Sequence, residues 1–407
     1  MKKIYLAIGL LTLFLRGKTQ QVDSSFQKKE LPKTDIELVF SYYNQDGDHS
    51  AVTGGIGTEQ LSVYGPNVKL THSFKGYQKL TLKGGSDFIT SASTDNIDFV
   101  RSSASLHDAR SYAHINYDRH AKKTDLTIGI GTGFSLESDY LSFPVSLALA
   151  YQTPDKMRNF QLSFQAFFDD LRWGRLDVDY KRPALLVYPA ELRFKEWADT
   201  YLRNSYTLQL GFTQVMNKRL IVGLFPEINY QKGLLSTPFH RVYFNDDAVQ
   251  VENLPDDRLK IPIGLRLNYF LGGRTILKGT YGFYWDNFGI IGHAIELESA
   301  FKLSPILTLA PFVRFYRQSA ADYFAPFKEH QPDAEYYTSD FDLSDFQSYK
   351  AGLYFRYAPL DYWTRRFLFN ELRLRYAFFR RSDGLVAHII SFSVGYSLLP
   401  KTEHKND

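Results

Sequence analysis

Charged side chains recur on one alternating face of the segments in the C-terminal third of this 407-residue chain, and both signs appear among neighbouring segments. Lys278 is followed by Glu296 and Glu298, then Arg314, then Arg356, then Glu371, Arg373 and Arg375. On neighbouring strands that turn the same face inward, such residues would pair across strands and hold a wall together. Lining a water-filled path, they would select ions by charge. Both readings need a wall of antiparallel strands around a polar interior.

A second group is acidic and sits in polar stretches. Asn44-Gln45-Asp46-Gly47-Asp48 looks like the start of a calcium loop, because alternate oxygen side chains can converge on one hard cation. His49 stands where that loop needs glycine, and its twelfth position holds no glutamate, so a solvated turn is the favoured reading. Glu59 follows in the same stretch, while Asp87, Asp95 and Asp98 surround the serine-rich run Thr90 to Ser93. There, local side-chain to backbone bonds are the simpler role. Whether these acids hold a metal stays open, and no cofactor is expected. The chain has no His-x-Ser pair, no Gly-x-Ser-x-Gly elbow and no His-Glu-x-x-His zinc helix. His293 and His388 fall on the outward faces of their segments. An enzyme is therefore not expected, and a hydrolase assembled from distant acids is the less favoured alternative.

Period-two alternation dominates from Asp35 to the C-terminus and supplies the wall. In one segment Leu126, Ile128, Ile130, Phe134 and Leu136 alternate with Thr127, Gly129, Gly131, Gly133 and Ser135; in the next, Phe143, Val145, Leu147, Leu149 and Tyr151 alternate with Ser142, Pro144, Ser146, Ala148 and Ala150. Strands are expected near 35–43, 61–73, 78–89, 110–119, 124–136, 141–152, 159–169, 201–216, 219–231, 258–271, 274–286, 290–301, 306–318, 346–357, 367–379 and 385–398, about sixteen in all and so even in number. A soluble sandwich alternates too, so the connections decide. Lys75 to Tyr77, Asn217-Lys218, Gly272-Gly273 and Leu303 to Pro305 are turn-sized, whereas 44–60, 90–109, 170–200, 232–257 and 319–345 are long. Short turns on one side and long loops on the other mark an all-β transmembrane antiparallel barrel, with the turns periplasmic and the loops outside. Aromatics near strand ends, among them Tyr42, Tyr117, Tyr140, Tyr151, Tyr230, Tyr269, Trp285, Phe301, Tyr357 and Trp363, fit girdles at the two interfaces. Within the loop 170–200 and just beyond it, Pro189 to Arg203 is expected to form a short helix, with Glu191 and Lys195 placed as an i,i+4 pair.

Both ends and the charge balance agree with export. Lys2 and Lys3 precede an apolar run from Ile4 to Leu15, the pattern of a signal peptide covering 1–19. Arg16 and Lys18 make the cleavage site atypical, and an uncleaved anchor is the alternative. A short polar segment 20–34, the barrel 35–399 and a polar tail 400–407 complete the layout. The formal charge of +4 equals the contribution of Lys2, Lys3, Arg16 and Lys18, so the mature chain is neutral and offers no basic face for nucleic acid. No cysteine is present, which removes disulfides and N-terminal lipidation. Beyond the N-terminus no stretch approaches the roughly 18 apolar residues of a membrane helix.

Several motifs resemble, in matching order, an uncharacterised outer-membrane β-barrel family of Gram-negative bacteria grouped as a domain of unknown function. They are Tyr42 to Glu59, Ser86 to Asp98, His107 to Arg110, Ser135 to Ser142 and Tyr337 to Phe346. The resemblance spans nearly the whole mature chain and implies a barrel in the outer membrane, with no named substrate. It also implies neighbours, since members look encoded beside small lipoproteins and thiol or flavin redox proteins. Expected partners are therefore outer-membrane lipid, the barrel-assembly machinery and a lipoprotein or other envelope protein. The leading expectation is a pore or transporter for small polar solutes, with loop 44–60 or 90–109 partly filling the lumen. A non-conducting assembly barrel that binds partners through its loops is the rival.

Overall fold

The computed structural model describes residues 32–74, 77–91, 107–121, 124–137, 140–171, 202–237, 240–359, 361–364 and 366–400. The signal segment, the 189–203 helix up to residue 201, Asp95, Asp98 and the tail beyond residue 400 lie outside them.

Alternation becomes a continuous wall. In chain order the strands are β1 (Lys33–Asp46), β2 (Leu61–Phe74), β3 (Gln78–Ser91), β4 (His107–Ala121), β5 (Leu126–Leu136), β6 (Leu141–Gln152), β7 (Arg158–Asp170), β8 (Leu202–Asn217), β9 (Leu220–Gly233), β10 (Arg241–Tyr243), β11 (Val249–Val251), β12 (Asp257–Lys260), β13 (Ile263–Gly272), β14 (Thr275–Trp285), β15 (Ile291–Lys302), β16 (Leu307–Gln318), β17 (Phe346–Tyr357), β18 (Asp361–Tyr362), β19 (Phe367–Arg381) and β20 (Val386–Leu398). Each wall strand pairs antiparallel with the next, and β20 returns to pair with β1. Strands β12 and β13 are two parts of one wall strand on β9, β18 is a two-residue spur on β19, and β10 with β11 is a separate hairpin, which leaves a closed barrel of sixteen wall strands. The single strand expected over 258–271 is interrupted at Ile261-Pro262, because proline has no N–H to give the ladder.

Burial here is inverted relative to a soluble protein. Large apolar side chains on the outward positions stay open, with Ile130 at 54%, Val313 at 55% and Leu297 at 58% exposure. A continuous apolar band of that kind suits lipid tails and would be an aggregation hazard in water. On the outer wall near the long-loop end, the Tyr281 hydroxyl meets His293 Nδ1 at 2.8 Å, and Tyr376 meets His388 Nδ1 at 3.0 Å. Both histidines are thus engaged on the lipid side, away from the lumen.

The connections follow the expected parity. The reversal after β8 is capped by Asn217 Oδ1, which accepts from the Arg219 and Leu220 amides, and Gly272 and Gly273 turn β13 into β14 with φ of 113° and 59°. β1 begins and β20 ends at this short-turn end, and residues 47–60, 234–256, 286–290, 319–345 and 382–385 connect at the opposite end.

The small inward residues of β5 do not leave vacant wall. Asp118, Asn116 and His114 from β4 lie across Gly129, Gly131 and Gly133, in the space a Cβ would take. Gly133 also faces the Ala113 carbonyl oxygen, which cannot step aside. Gly133→Val should cost about 1–3 kcal/mol through overpacking, read as a lower yield of heat-modifiable folded barrel. The chain has no cysteine of its own, so single substitutions test topology cleanly. Glu329→Cys in the exposed part of 319–345 should react with an impermeant thiol reagent on intact cells, and Lys218→Cys should not; the reverse pattern would invert the barrel.

Candidate channel wall and loop cap

The charged residues of the later strands meet on the inner surface. Lys278 Nζ lies 2.7 Å from Glu298 Oε1 across the β14–β15 pair. Arg375 on β19 comes within 3.7 Å of Glu296 and 3.8 Å of Glu298 on β15, passing over β16 and β17 with its guanidinium 3.9 Å from the Phe312 ring centroid. Such a reach is available only along the inside of the curved wall. Glu371 takes Arg356 at 2.6 Å and also pairs with Arg373, which continues past β20 to Glu37 on β1 at 3.1 Å. Lys69 lies 4.0 Å from the same Glu37. Glu37 and Lys69 face each other in the β1–β2 pair and are linked to Arg373 only because the barrel closes, and alternation in the later strands did not point to them.

Depth differs between the two signs. The Glu298 and Glu371 side chains are 12% and 15% exposed, whereas Arg375 and Arg373 are each 39% exposed. Carboxylates therefore sit against the wall and guanidiniums cover them. Arg314 and its cross-strand neighbour Lys350 have no ion-pair partner among the described residues, and together with Tyr316, Phe346, Ser348 and Phe379 they line a recess of about 210 Å³. The opposite arc presents His114, Asn116 and Asp118 over its glycines.

At the long-loop end the connections fold on one another. Val242, Phe244 and Tyr337 form one buried cluster, and Phe288, Ile290 and Ala321 form another. Asp286, fully buried, anchors the second: it takes Arg258 at 2.5 Å and the Tyr284 hydroxyl at 2.8 Å, and accepts from the Phe288 and Ile290 amides at 3.1 and 3.0 Å. The segment 47–60 leans on this assembly. His49 stacks on Phe341 with centroids 3.8 Å apart, and Gly54 packs so closely on the Tyr243 ring that a side chain would collide. Arg381, at the top of β19, holds Asp342 and Asp383 at 2.5 Å each.

Deep in the same assembly His240, Glu252 and Asp340 converge. His240 Nδ1 is 3.4 Å from Glu252 Oε1 and 3.8 Å from Asp340 Oδ2. Burial opposes a charged imidazole, but Glu252 and Asp340 outweigh it and hold the His240 pKa above its ordinary value. The reciprocal effect, with bonds from Thr338 and Thr237, keeps Glu252 below the usual carboxylate value against its own burial.

Of the expected acidic group, Asp95 and Asp98 lie outside the described residues, and the described members take separate partners. Asn44 Nδ2 donates to Ser62 and Gln45 Nε2 to the Glu59 carbonyl, and Asn44 to Asp46 lie within β1, paired with β2, instead of in a solvated turn. Asp46 accepts from Gln60, Asp48 is exposed, and Asp87 lies within β3 beside Gly65 rather than in a loop. Glu59 is half-buried next to Arg381, Asp342, Asp340 and Asp383.

The chain belongs to the family described as "Protein of unknown function (DUF3570)", which matches residues 37–364. No curated protein matches it. Among solved structures it is similar to OccK1 (OpdK) of Pseudomonas aeruginosa, with TM-score 0.42 and 10% identity over 90% of this chain and 98% of that one. It is also similar to a deltaS2 mutant of the TodX monoaromatic hydrocarbon channel, at TM-score 0.42 and 11% identity over 91% of each chain. A BenF-like porin from Pseudomonas fluorescens Pf-5 is similar at TM-score 0.42 and 9% identity over 90% of this chain and 99% of that one. The closed wall and its apolar outer band are those of an outer-membrane barrel.

Glu59 gives the cap a pH dependence. Burial, with Asp342, Asp340 and Asp383 adding to it and Arg381 opposing, raises its pKa from 4.5 to about 7. A carboxyl whose folded value is raised favours the folded cap while protonated, and that contribution is lost as pH rises from the unfolded value through the folded one. Proteolysis of 47–60 in the folded barrel should therefore increase between about pH 5 and about pH 8. Glu59→Gln should remove the step, and a step of equal size in that variant would assign it to another group.

Proposed function

We propose that this barrel is a pore for small polar solutes, with a preference for anions and a mouth narrowed by the packed loops. The observation that carries the reading is the inner wall of β14 to β19, where the Glu298 and Glu371 carboxylates lie covered by Arg375 and Arg373, and Arg314 and Lys350 have no ion-pair partner among the described residues. Sixteen strands at about 4.8 Å spacing and about 40° tilt enclose a wall roughly 30 Å across, wide enough for water beside such side chains. Segment 47–60 contributes to the narrowing through its contacts with Tyr243 and Phe341. Residues 1–19 would direct export, and outer-membrane lipid and the barrel-assembly machinery are the partners such a barrel requires. The clustered cores of the loops support a second reading, a non-conducting barrel that presents a rigid cap to a lipoprotein or another envelope protein.

Purified protein in planar bilayers separates the two. Discrete channels with anion preference are expected, and Arg314→Gln with Lys350→Gln should move the reversal potential toward cations. Glu296→Gln with Glu298→Gln should move it toward anions. Deleting 47–57 should raise single-channel conductance. Absence of channels both in the intact protein and in a folded deletion variant would leave the partner-binding barrel.

A further inference from the structure

We propose that His240, Glu252 and Asp340 form a site for one divalent transition-metal ion, zinc in the first instance, which staples the 234–256 loop to the 319–345 loop. The site is built by the backbone. His240 directly precedes β10 and Glu252 directly follows β11, and the Glu252 amide donates to the His240 carbonyl at 3.2 Å, which makes the two residues neighbours at the base of one hairpin. Asn253 and Tyr337 exchange both backbone bonds, at 3.1 and 2.8 Å, and this pairing delivers Asp340 from a stretch nearly ninety residues further along the chain.

Three different ligand atoms then face one point. His240 Nδ1, Glu252 Oε1 and Asp340 Oδ2 lie within 4.8 Å of one another. Ligands about 2.0–2.2 Å from a tetrahedral zinc ion are about 3.4 Å apart, and the imidazole sits 3.4 and 3.8 Å from the two carboxylates. The second oxygen of each carboxylate is already engaged: Thr237 N donates to Glu252 Oε2 at 2.6 Å, and Asp342 N donates to Asp340 Oδ1 at 2.9 Å. Thr338, fully buried, adds a hydroxyl bond to Glu252 Oε1 at 2.6 Å. Outer bonds of this kind aim first-coordination atoms and raise metal affinity. The Glu252 side chain is only 2% exposed. Two carboxylates with a neutral imidazole carry a double negative charge that a dication balances, and a nitrogen ligand with two oxygens suits zinc better than calcium, which takes six to eight oxygens. Three protein ligands leave a fourth position for water or for a group from a partner.

The test uses the full folded barrel in detergent, without a polyhistidine tag and after chelator treatment, titrated calorimetrically with zinc and separately with calcium. One zinc ion per chain is expected, with little response to calcium. His240→Ala and, separately, Asp340→Asn should each weaken zinc binding at least about tenfold while keeping heat-modifiable migration, and zinc should protect 234–256 and 319–345 from protease in the parent only. Failure of the parent to bind zinc would overturn the site and leave the trio as an ion pair. Binding unchanged in both folded variants would overturn it equally. Neither result depends on whether the barrel conducts.

Discussion

Closure of the sheet is the constraint on which the rest depends. In hydrocarbon an unpaired N–H or C=O has no water to meet and costs several kcal/mol, so an open edge cannot stand in a membrane. The seam between β1 and β20, in continuous register from Thr34 against Leu398 to Asp46 against Val386, removes both edges at once. Joining the first strand to the last fixes where everything else lies. β1 begins and β20 ends at the short-turn end, the long described connections fall at the other, and Glu37 is carried to within reach of Arg373 across β20.

Inside that frame the two arcs of the wall solve different problems. On β4 and β5 the inward side chains alternate long and short, so polar groups from one strand cover the glycines of the next. On β14 to β19 the arginines lie along the curvature, over Phe312 and across intervening strands, to reach carboxylates two or three strands away. Partly exposed pairs like these contribute little stability each, on the order of 0–1 kcal/mol. Their larger effect is positional: they hold long flexible side chains against the wall instead of in the path. Arg314 and Lys350 have no such ion pair among the described residues, although Glu296 is the cross-strand neighbour of Arg314.

What was legible in the sequence follows from the range of the interactions involved. The strands could be read because side-chain direction has period two, and turns such as Asn217 to Leu220 have local chemistry. Lys278 with Glu298 could be read as well, since adjacent strands joined by a short connection fix their own register. Arg375 with Glu296, and Arg373 with Glu37, could not, because they skip strands and depend on curvature and closure. The break at Pro262 was visible as a residue but not as a bend, since proline at a wall position is tolerated only with local irregularity. The run at Asn44 to Asp48, read as a solvated turn, differs for a related reason: β1 runs on to Asp46, and pairing with β2 and β20 takes its first three residues into the wall.

The loop cap was least legible because its elements have neither period nor motif. The hairpin of β10 and β11, three residues a side, gives no alternation to read, and His240, Glu252 and Asp340 are spaced by accidents of loop length. Yet the cap is built like a small protein, with two apolar clusters and with Asp286 and Glu252 buried and fully engaged. Loops that only had to connect strands would not need buried carboxylates, each of which must be compensated by several bonds to be tolerated. Rigidity at the mouth is what that arrangement secures. The segment 47–60 ties that entrance to the seam itself, since it springs from β1 and rests on the loop that follows β16.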